Sequence, residues 1–247
     1  MPSPPLIVAN WKMHMTPQDA QTWRETWTSK QRDAHVTTQV VVCPPFPLLA
    51  YITPMLDDTP YPLAMGAQDC HFQEQGAYTG DVSPMLLAAM GCSYVIVGHS
   101  ERRRDHHEHD DLINKKALCG QRHGLCPIIC IGESQQERLD GKTLDVLEQQ
   151  LAITTRHMEK SYVIAYEPLW AIGTGVAAKT QDIDDIGTWI HQRLSTPHHQ
   201  HAPKLLYGGS VTTENAHAIL SLPTIDGLLV GGASLTAESF HEIATYP

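Results

Sequence analysis

Short apolar runs recur eight times along the chain, each followed by a longer segment of helical character, and no other feature restricts the fold so strongly. The runs begin near Leu6, Gln39, Leu63, Tyr94, Pro127, Tyr162, Lys204 and Gly227, so successive starts are about 23 to 42 residues apart. That is the length of one strand plus one helix. Runs rich in Val, Ile and Leu suit parallel strands buried on both faces, which helices must cover. The segments between them carry helix punctuation: Ser83 and Pro84 open one that stops at Gly91, Asp110 to His123 ends at Gly124, and Thr143 to His157 forms another. No Gly/Ser linker or shift of composition interrupts the series. Eight such units predict a single α/β domain over residues 1–247, a closed (β/α)8 barrel of eight parallel strands with outer helices. An open doubly wound sheet normally stops at fewer strands.

Charge and composition narrow the class of partner. The balance of 17 Lys plus Arg against 27 Asp plus Glu gives a net charge of -10 with His neutral, which argues against nucleic acid. A small anionic ligand therefore needs local donors. No stretch approaches the roughly 20 apolar residues of a membrane span, and no apolar run follows a basic start, so a soluble cytoplasmic protein with no membrane partner is expected. The six cysteines form no CxxC pair and several sit in apolar runs, reading as reduced core residues rather than zinc ligands. Histidines cluster at residues 105–110 and 198–201. Neither cluster has ligand spacing on a helix face, so solvated polar loops are expected, adventitious metal binding being the alternative.

Polar residues and glycines fall directly after the apolar runs: Asn10 and Lys12, Gln68 and Asp69, His99 and Glu101, Gly132 and Glu133, Glu167, Gly208 to Ser210, and Gly231 with Gly232. In a barrel these strand ends open on one face, where residues distant in sequence converge. Glu167 stands in AYEPLWAIGTG, residues 165–175, at the end of a buried strand. A carboxylate there is either ion-paired or held for chemistry, and the convergence of a Lys, a His, a second Glu and several glycine turns favours chemistry. Pro168 stiffens the exit while Gly173 and Gly175 loosen it, the pattern of a segment that moves as a unit and offers N–H groups to an anion.

Each candidate has a bland reading and a chemical one. Lys12 is a surface charge or a local positive field. His99 is a structural histidine, or a neutral imidazole whose N–H donates to an oxygen gaining charge. Glu101 either pairs with Lys12 or caps the next turn. The turns Gly208-Gly209-Ser210 and Gly231 to Ser234 follow the seventh and eighth strands, where this architecture builds phosphate sites, and Gly173 would complete one from the sixth loop. A carboxylate base, a neutral electrophile and a cation around a small ketone suit proton abstraction beside a carbonyl.

The motifs VANWKM at 8–13, GAQD at 66–69, YTGD at 78–81, VGHSERR at 97–103, CIGE at 130–133, AYEPLWAIGTG at 165–175, YGGSV at 207–211 and DGLLVGGASL at 226–235 occur in order. Through them the chain resembles the triosephosphate isomerase family along essentially its whole length. The resemblance implies interconversion of dihydroxyacetone phosphate and D-glyceraldehyde 3-phosphate through an enediolate. It implies Glu167 as general base, His99 as neutral electrophile, Lys12 as the cation that binds substrate, and Asn10 as a supporting hydrogen bonder. Gly173, Ser210, Gly231 and Gly232 would hold the phosphate, with Glu101 supporting Lys12. No metal or organic cofactor is implied. A homodimer is, with Thr79 of the third loop against its partner. Local departures are His14 and Asp69 where the family commonly has Asn, Asp81 in place of Glu, and Lys179-Thr180 in place of Thr-Pro. Two rival readings are another phosphosugar enzyme on the same barrel and a catalytically silent phosphate-binding protein. Glu167, His99 and Lys12 together argue against both.

Overall fold

The computed structural model describes residues 4–30, 38–53, 63–172, 178–194 and 203–245. Its strands are β1 (Leu6–Asn10), β2 (Gln39–Cys43), β3 (Leu63–Ala67), β4 (Cys92–Val97), β5 (Cys126–Ile131), β6 (Val163–Tyr166), β7 (Lys204–Tyr207) and β8 (Gly227–Val230). Each pairs in parallel with the next, and β8 returns to β1, so the sheet closes on itself as a (β/α)8 barrel. Five strands start where the apolar runs predict. β4 begins two residues earlier than Tyr94, because Cys92 pairs with Met65 ahead of a register irregularity. β5 begins one residue early, with Cys126 opposite Tyr94, and β6 one residue late, its pairing starting at Val163.

The helices are α1 (Pro17–Ser29), α2 (Phe46–Ile52), α3 (Pro84–Ala89), α4 (Ser100–His106), α5 (Asp110–Arg122), α6 (Gln135–Leu139), α7 (Thr143–Thr154), α8 (Thr180–Leu194), α9 (Thr213–Leu220) and α10 (Ala237–Ala244). Their starts follow local chemistry. Thr16 and Asp19 form a reciprocal capping box on α1, and Ser83 accepts from Met85 and Leu86 ahead of α3. α7 stops three residues short of the expected His157, which has left-handed backbone (φ 63°).

Side chains along each strand alternate between two cores. Leu6, Val8, Val41, Cys43, Ile96, Ile128, Cys130, Val163, Ala165, Leu206 and Leu229 pack together inside the barrel. Their neighbours Ile7, Ala9, Val40, Val42, Ile129, Ile164, Leu205 and Leu228 face the helices. A period of two carries this alternation past the strand ends. Asn10 therefore continues the inward row of Leu6 and Val8, Glu167 that of Val163 and Ala165, Gly208 that of Leu206, and Gly231 that of Leu229.

The loops after β3 and β4 are joined by a buried charge cluster. Lys116 of α5 contacts both Asp69 oxygens at 2.8 Å and Glu108 Oε1 at 2.6 Å, while Arg102 of α4 reaches Asp69 at 2.9 Å and Glu108 at 2.7 Å. The histidine-rich stretch at 105–110 is consequently not only a solvated loop. His107 ends α4 in a left-handed conformation, His109 caps α5, and Glu108 between them is buried. The 198–201 cluster lies outside the described residues. Burial holds the Asp69 carboxyl above the usual range, against the pull of Lys116, with Glu108 pushing further up and Arg102 down. Burial also raises Glu108, but Lys116 and Arg102 outweigh it, leaving Glu108 low. Replacing Lys116 by Met leaves Arg102 alone to match both Asp69 and Glu108 and is expected to lower the unfolding free energy by about 3–5 kcal/mol in urea titrations. Adding Asp69→Asn should recover part of that loss, since Arg102 then faces a single buried carboxylate, Glu108.

Candidate active site

At the carboxyl ends of the strands a cavity of about 330 Å³ is lined by Asn10, Lys12, His99, Glu167, Gly208 to Thr212, and Gly231 to Ala233, with Ile172 and Leu229 as apolar wall. That is the lower end of the range for small-molecule sites. Among the phosphate candidates named above, Ser210, Gly231 and Gly232 line this cavity, whereas Gly173 lies outside the described residues.

Glu167 is 2% exposed and held from several sides. Its backbone N–H donates to the Ile131 carbonyl at 2.7 Å, and the Ser100 N–H donates to Oε2 at 2.9 Å. Oε1 lies 3.1 Å from His99 Nε2 but outside hydrogen-bond alignment, so it has no bonded donor among the described residues. An anion this buried and this sparsely matched is a reactive arrangement rather than a restful one. Close backbone approach makes it possible. A side chain on Gly132 would overlap the Glu167 carbonyl oxygen, and one on Gly208 would come within 3.0 Å of Glu167 Cγ.

His99 precedes α4 and accepts the Glu101 N–H at Nδ1, 3.2 Å away. A backbone amide only donates, so Nδ1 carries no proton and the neutral ring carries its proton on Nε2, the nitrogen facing Glu167. Arg103 holds this strand end to its neighbour by donating to the Gly98 and Cys130 carbonyls at 2.8 and 3.0 Å.

Lys12 has left-handed backbone (φ 51°), an unusual conformation for a side-chain-bearing residue. Asn10 Oδ1 accepts its N–H at 3.0 Å, and Gln68 Nε2 donates to its carbonyl and to that of Cys43, both at 2.9 Å. The ammonium meets Glu101 Oε1 at 2.8 Å, which decides between pairing and capping for that residue. Burial raises the Glu101 carboxyl, but the Lys12 hydrogen bond and charge, with His99 and Arg104, bring it below the ordinary value, so it stays ionised as a counter-charge.

Glu133 flanks the Glu167 segment. Fully buried, it accepts from Tyr166 OH at 3.1 and 3.2 Å and from Trp170 Nε1 at 2.9 Å, with Arg138 at 3.5 Å. Burial pushes the Tyr166 phenol far up, keeping it a donor.

The arrangement brings together Asn10, Lys12, His99, Glu101 and Glu167, while Thr79 is exposed on the third loop. Two contributors escaped the reading of the sequence. Ser100 acts through its backbone N–H, which no residue type announces. Gln68 was visible as a polar residue after the third run, but nothing marked its amide as the brace of Lys12.

A family model described as triosephosphate isomerase matches residues 5–246. The chain belongs to the triosephosphate isomerase family. Among similar relatives, the triosephosphate isomerase of Thermoanaerobacter pseudethanolicus is 41% identical over 98% of this chain and 99% of its own length. That of Aquifex aeolicus is also 41% identical, over 96% and 97%. The crystal structure of triosephosphate isomerase from Bartonella henselae superposes with a TM-score of 0.86 at 36% identity, over 97% of both chains.

Gly132→Ala tests the close approach behind Glu167. Its methyl group has to push β6 and the carboxylate away by roughly 1 Å, so kcat should fall about 10²-fold in a protein that still shows a cooperative melt. Unchanged turnover would mean that Glu167 tolerates displacement.

Proposed function

We infer that the chain is a triose-phosphate isomerase in which Glu167 is the general base, His99 the neutral electrophile and Lys12 the cation at the enediolate. Asn10 supports Lys12, and Glu101 orients it. The phosphate of the substrate is held by Ser210, Gly231 and Gly232, with Gly173 contributing from the sixth loop. The observation that carries this reading is the meeting of Glu167, His99 and Lys12 at one wall of a cavity whose other wall is glycine backbone.

The chemistry follows from the geometry. Glu167 takes a proton from the carbon between carbonyl and hydroxyl, and the electron pair moves onto the carbonyl oxygen. The Nε2–H of His99 and the Lys12 ammonium stabilise that developing negative charge, and they are already oriented before it appears. Moving the hydroxyl proton to the charged oxygen and returning the carbon-bound proton to the adjacent carbon completes the exchange of ketose for aldose. The carboxylate rests on the first N–H of α4. Substrate, by displacing that contact, converts a held anion into an acting base.

A single barrel domain over 1–247 is supported by the family match to residues 5–246. A homodimer is supported by open apolar side chains: Met13, after β1, is 94% exposed, and Tyr78, Met85 and Leu86, after β3, lie open beside a cavity of about 320 Å³. Thr79, exposed next to Tyr78 in the chain, would face the partner. The six cysteines stand as free thiols, which suits the cytoplasm. No described helix is long and apolar enough to cross a membrane.

A coupled assay with D-glyceraldehyde 3-phosphate tests the activity, and two variants test the roles. Glu167→Asp keeps the charge but withdraws it by one methylene, so kcat should drop about 10²-fold with KM little changed. Near-full kcat would remove the general-base assignment. Lys12→Met should lose most activity while folding normally, since it deletes a charge facing the enediolate. Sedimentation of a fully active monomer at micromolar concentration would refute the dimer.

A further inference from the structure

Gripping a phosphate with Gly231 and Gly232 requires their N–H groups to point at one place, yet glycine has no side chain with which to hold itself. What holds this turn comes from elsewhere. The Gly231 carbonyl accepts from both the N–H and the Oγ of Ser234, at 2.8 and 2.7 Å. A trans peptide is planar with its C=O and N–H opposed, so pinning this carbonyl also sets the direction of the Gly232 N–H. Ser234 is fully buried, and its own carbonyl accepts the indole N–H of Trp23 at 3.0 Å.

Trp23 lies on α1, 211 residues earlier in the chain. Its ring stacks on Trp27 with centroids 5.2 Å apart, meets Trp11 edge-on at 5.3 Å, and lies 6.0 Å from Phe240 of α10. Trp11 sits between Asn10 and Lys12 in the chain, and Phe240 follows the turn. One indole thus spans from the exit of β1 to the turn after β8. A side chain on Gly231 would come within 3.2 Å of Lys12 Cε, so the two segments are set against each other with little room for drift.

We propose that Trp23 is a positioning residue for the phosphate of the substrate, its indole N–H holding the Gly231 to Ser234 turn in the form that grips a phosphate beside Lys12. The inference rests on the reading of that turn as a phosphate site. A tryptophan that only filled the core would, on replacement, weaken the protein and slow every substrate alike. A positioning residue acts selectively on the phosphate.

Trp23→Phe keeps an aromatic ring and deletes the donor; Ser234→Ala keeps Trp23 and deletes the hydroxyl link to Gly231. Both are compared with the unaltered protein using D-glyceraldehyde 3-phosphate, D-glyceraldehyde, which lacks the phosphate, and inorganic phosphate as competitive inhibitor, after thermal melts establish folding. In each variant kcat/KM for the phosphorylated substrate should fall about tenfold, and the inhibition constant of inorganic phosphate should rise by a similar factor, as befits loss of one buried hydrogen bond. The rate on D-glyceraldehyde should change by less than about twofold. Parallel losses on both substrates, or unchanged phosphate inhibition in Trp23→Phe, would overturn the role of Trp23. Should Trp23→Phe not fold, Trp23→Leu, which also lacks the donor, is read by the same outcomes. If inorganic phosphate fails to compete in the unaltered protein, the phosphate site itself is misassigned; competition that Trp23→Phe leaves intact removes only the positioning role.

Discussion

The active end of this barrel depends on the two-residue period of its strands in a closed sheet. Once the inward positions of β1, β6, β7 and β8 are filled by Leu6, Val8, Val163, Ala165, Leu206 and Leu229, the next inward positions lie at the rim. Those positions are Asn10, Glu167, Gly208 and Gly231. Catalytic groups and glycine backbone are thus the last layer of the interior core. A one-residue slip of a single strand would turn its contribution outward, so the rigidity of the pairing is also the accuracy of the site.

Four buried carboxylates show how differently one functional group is treated. Glu133 is saturated by Tyr166, Trp170 and Arg138, and Asp69 and Glu108 share Lys116 and Arg102. These are braces. Glu167 has one backbone N–H and an imidazole in poor alignment, and no Lys or Arg nitrogen within ion-pair reach among the described residues. The asymmetry separates a structural anion from one kept reactive, since every additional donor would stabilise the charge that has to be spent on a proton.

Fold and site were legible to different depths. The eight apolar runs located every strand within two residues, because strands buried on both faces must be continuously apolar and their interruptions are conspicuous. Asn10, Lys12, His99 and Glu167 were visible because strand ends in a barrel converge. The shortfalls have physical causes. The β4 start was misjudged because it precedes a register irregularity, which leaves no compositional trace. Glu108 looked like part of a solvated histidine-rich loop, since its burial depends on Lys116 and Arg102, which approach from two helices. Ser100 acts through its backbone N–H, and Ser234 meets Trp23 through its backbone carbonyl, atoms that every residue possesses.

The pairing of β1 with β8, and the reach of Trp23 to Ser234, join residues 6–23 to residues 227–234. This sets an order on the birth of the molecule. While the chain leaves the ribosome, β1 through β7 have an open edge, and the Gly231 to Ala233 part of the pocket does not yet exist. Neither the barrel nor the pocket can be finished by any N-terminal fragment, however long, that stops short of β8. Such closure between chain ends loads the entropic cost of folding onto its final step and slows it. The same closure means that a prematurely ended chain carries Lys12, Glu167 and Ser210 but lacks Gly231 and Gly232, and so has only part of the wall that faces a phosphate.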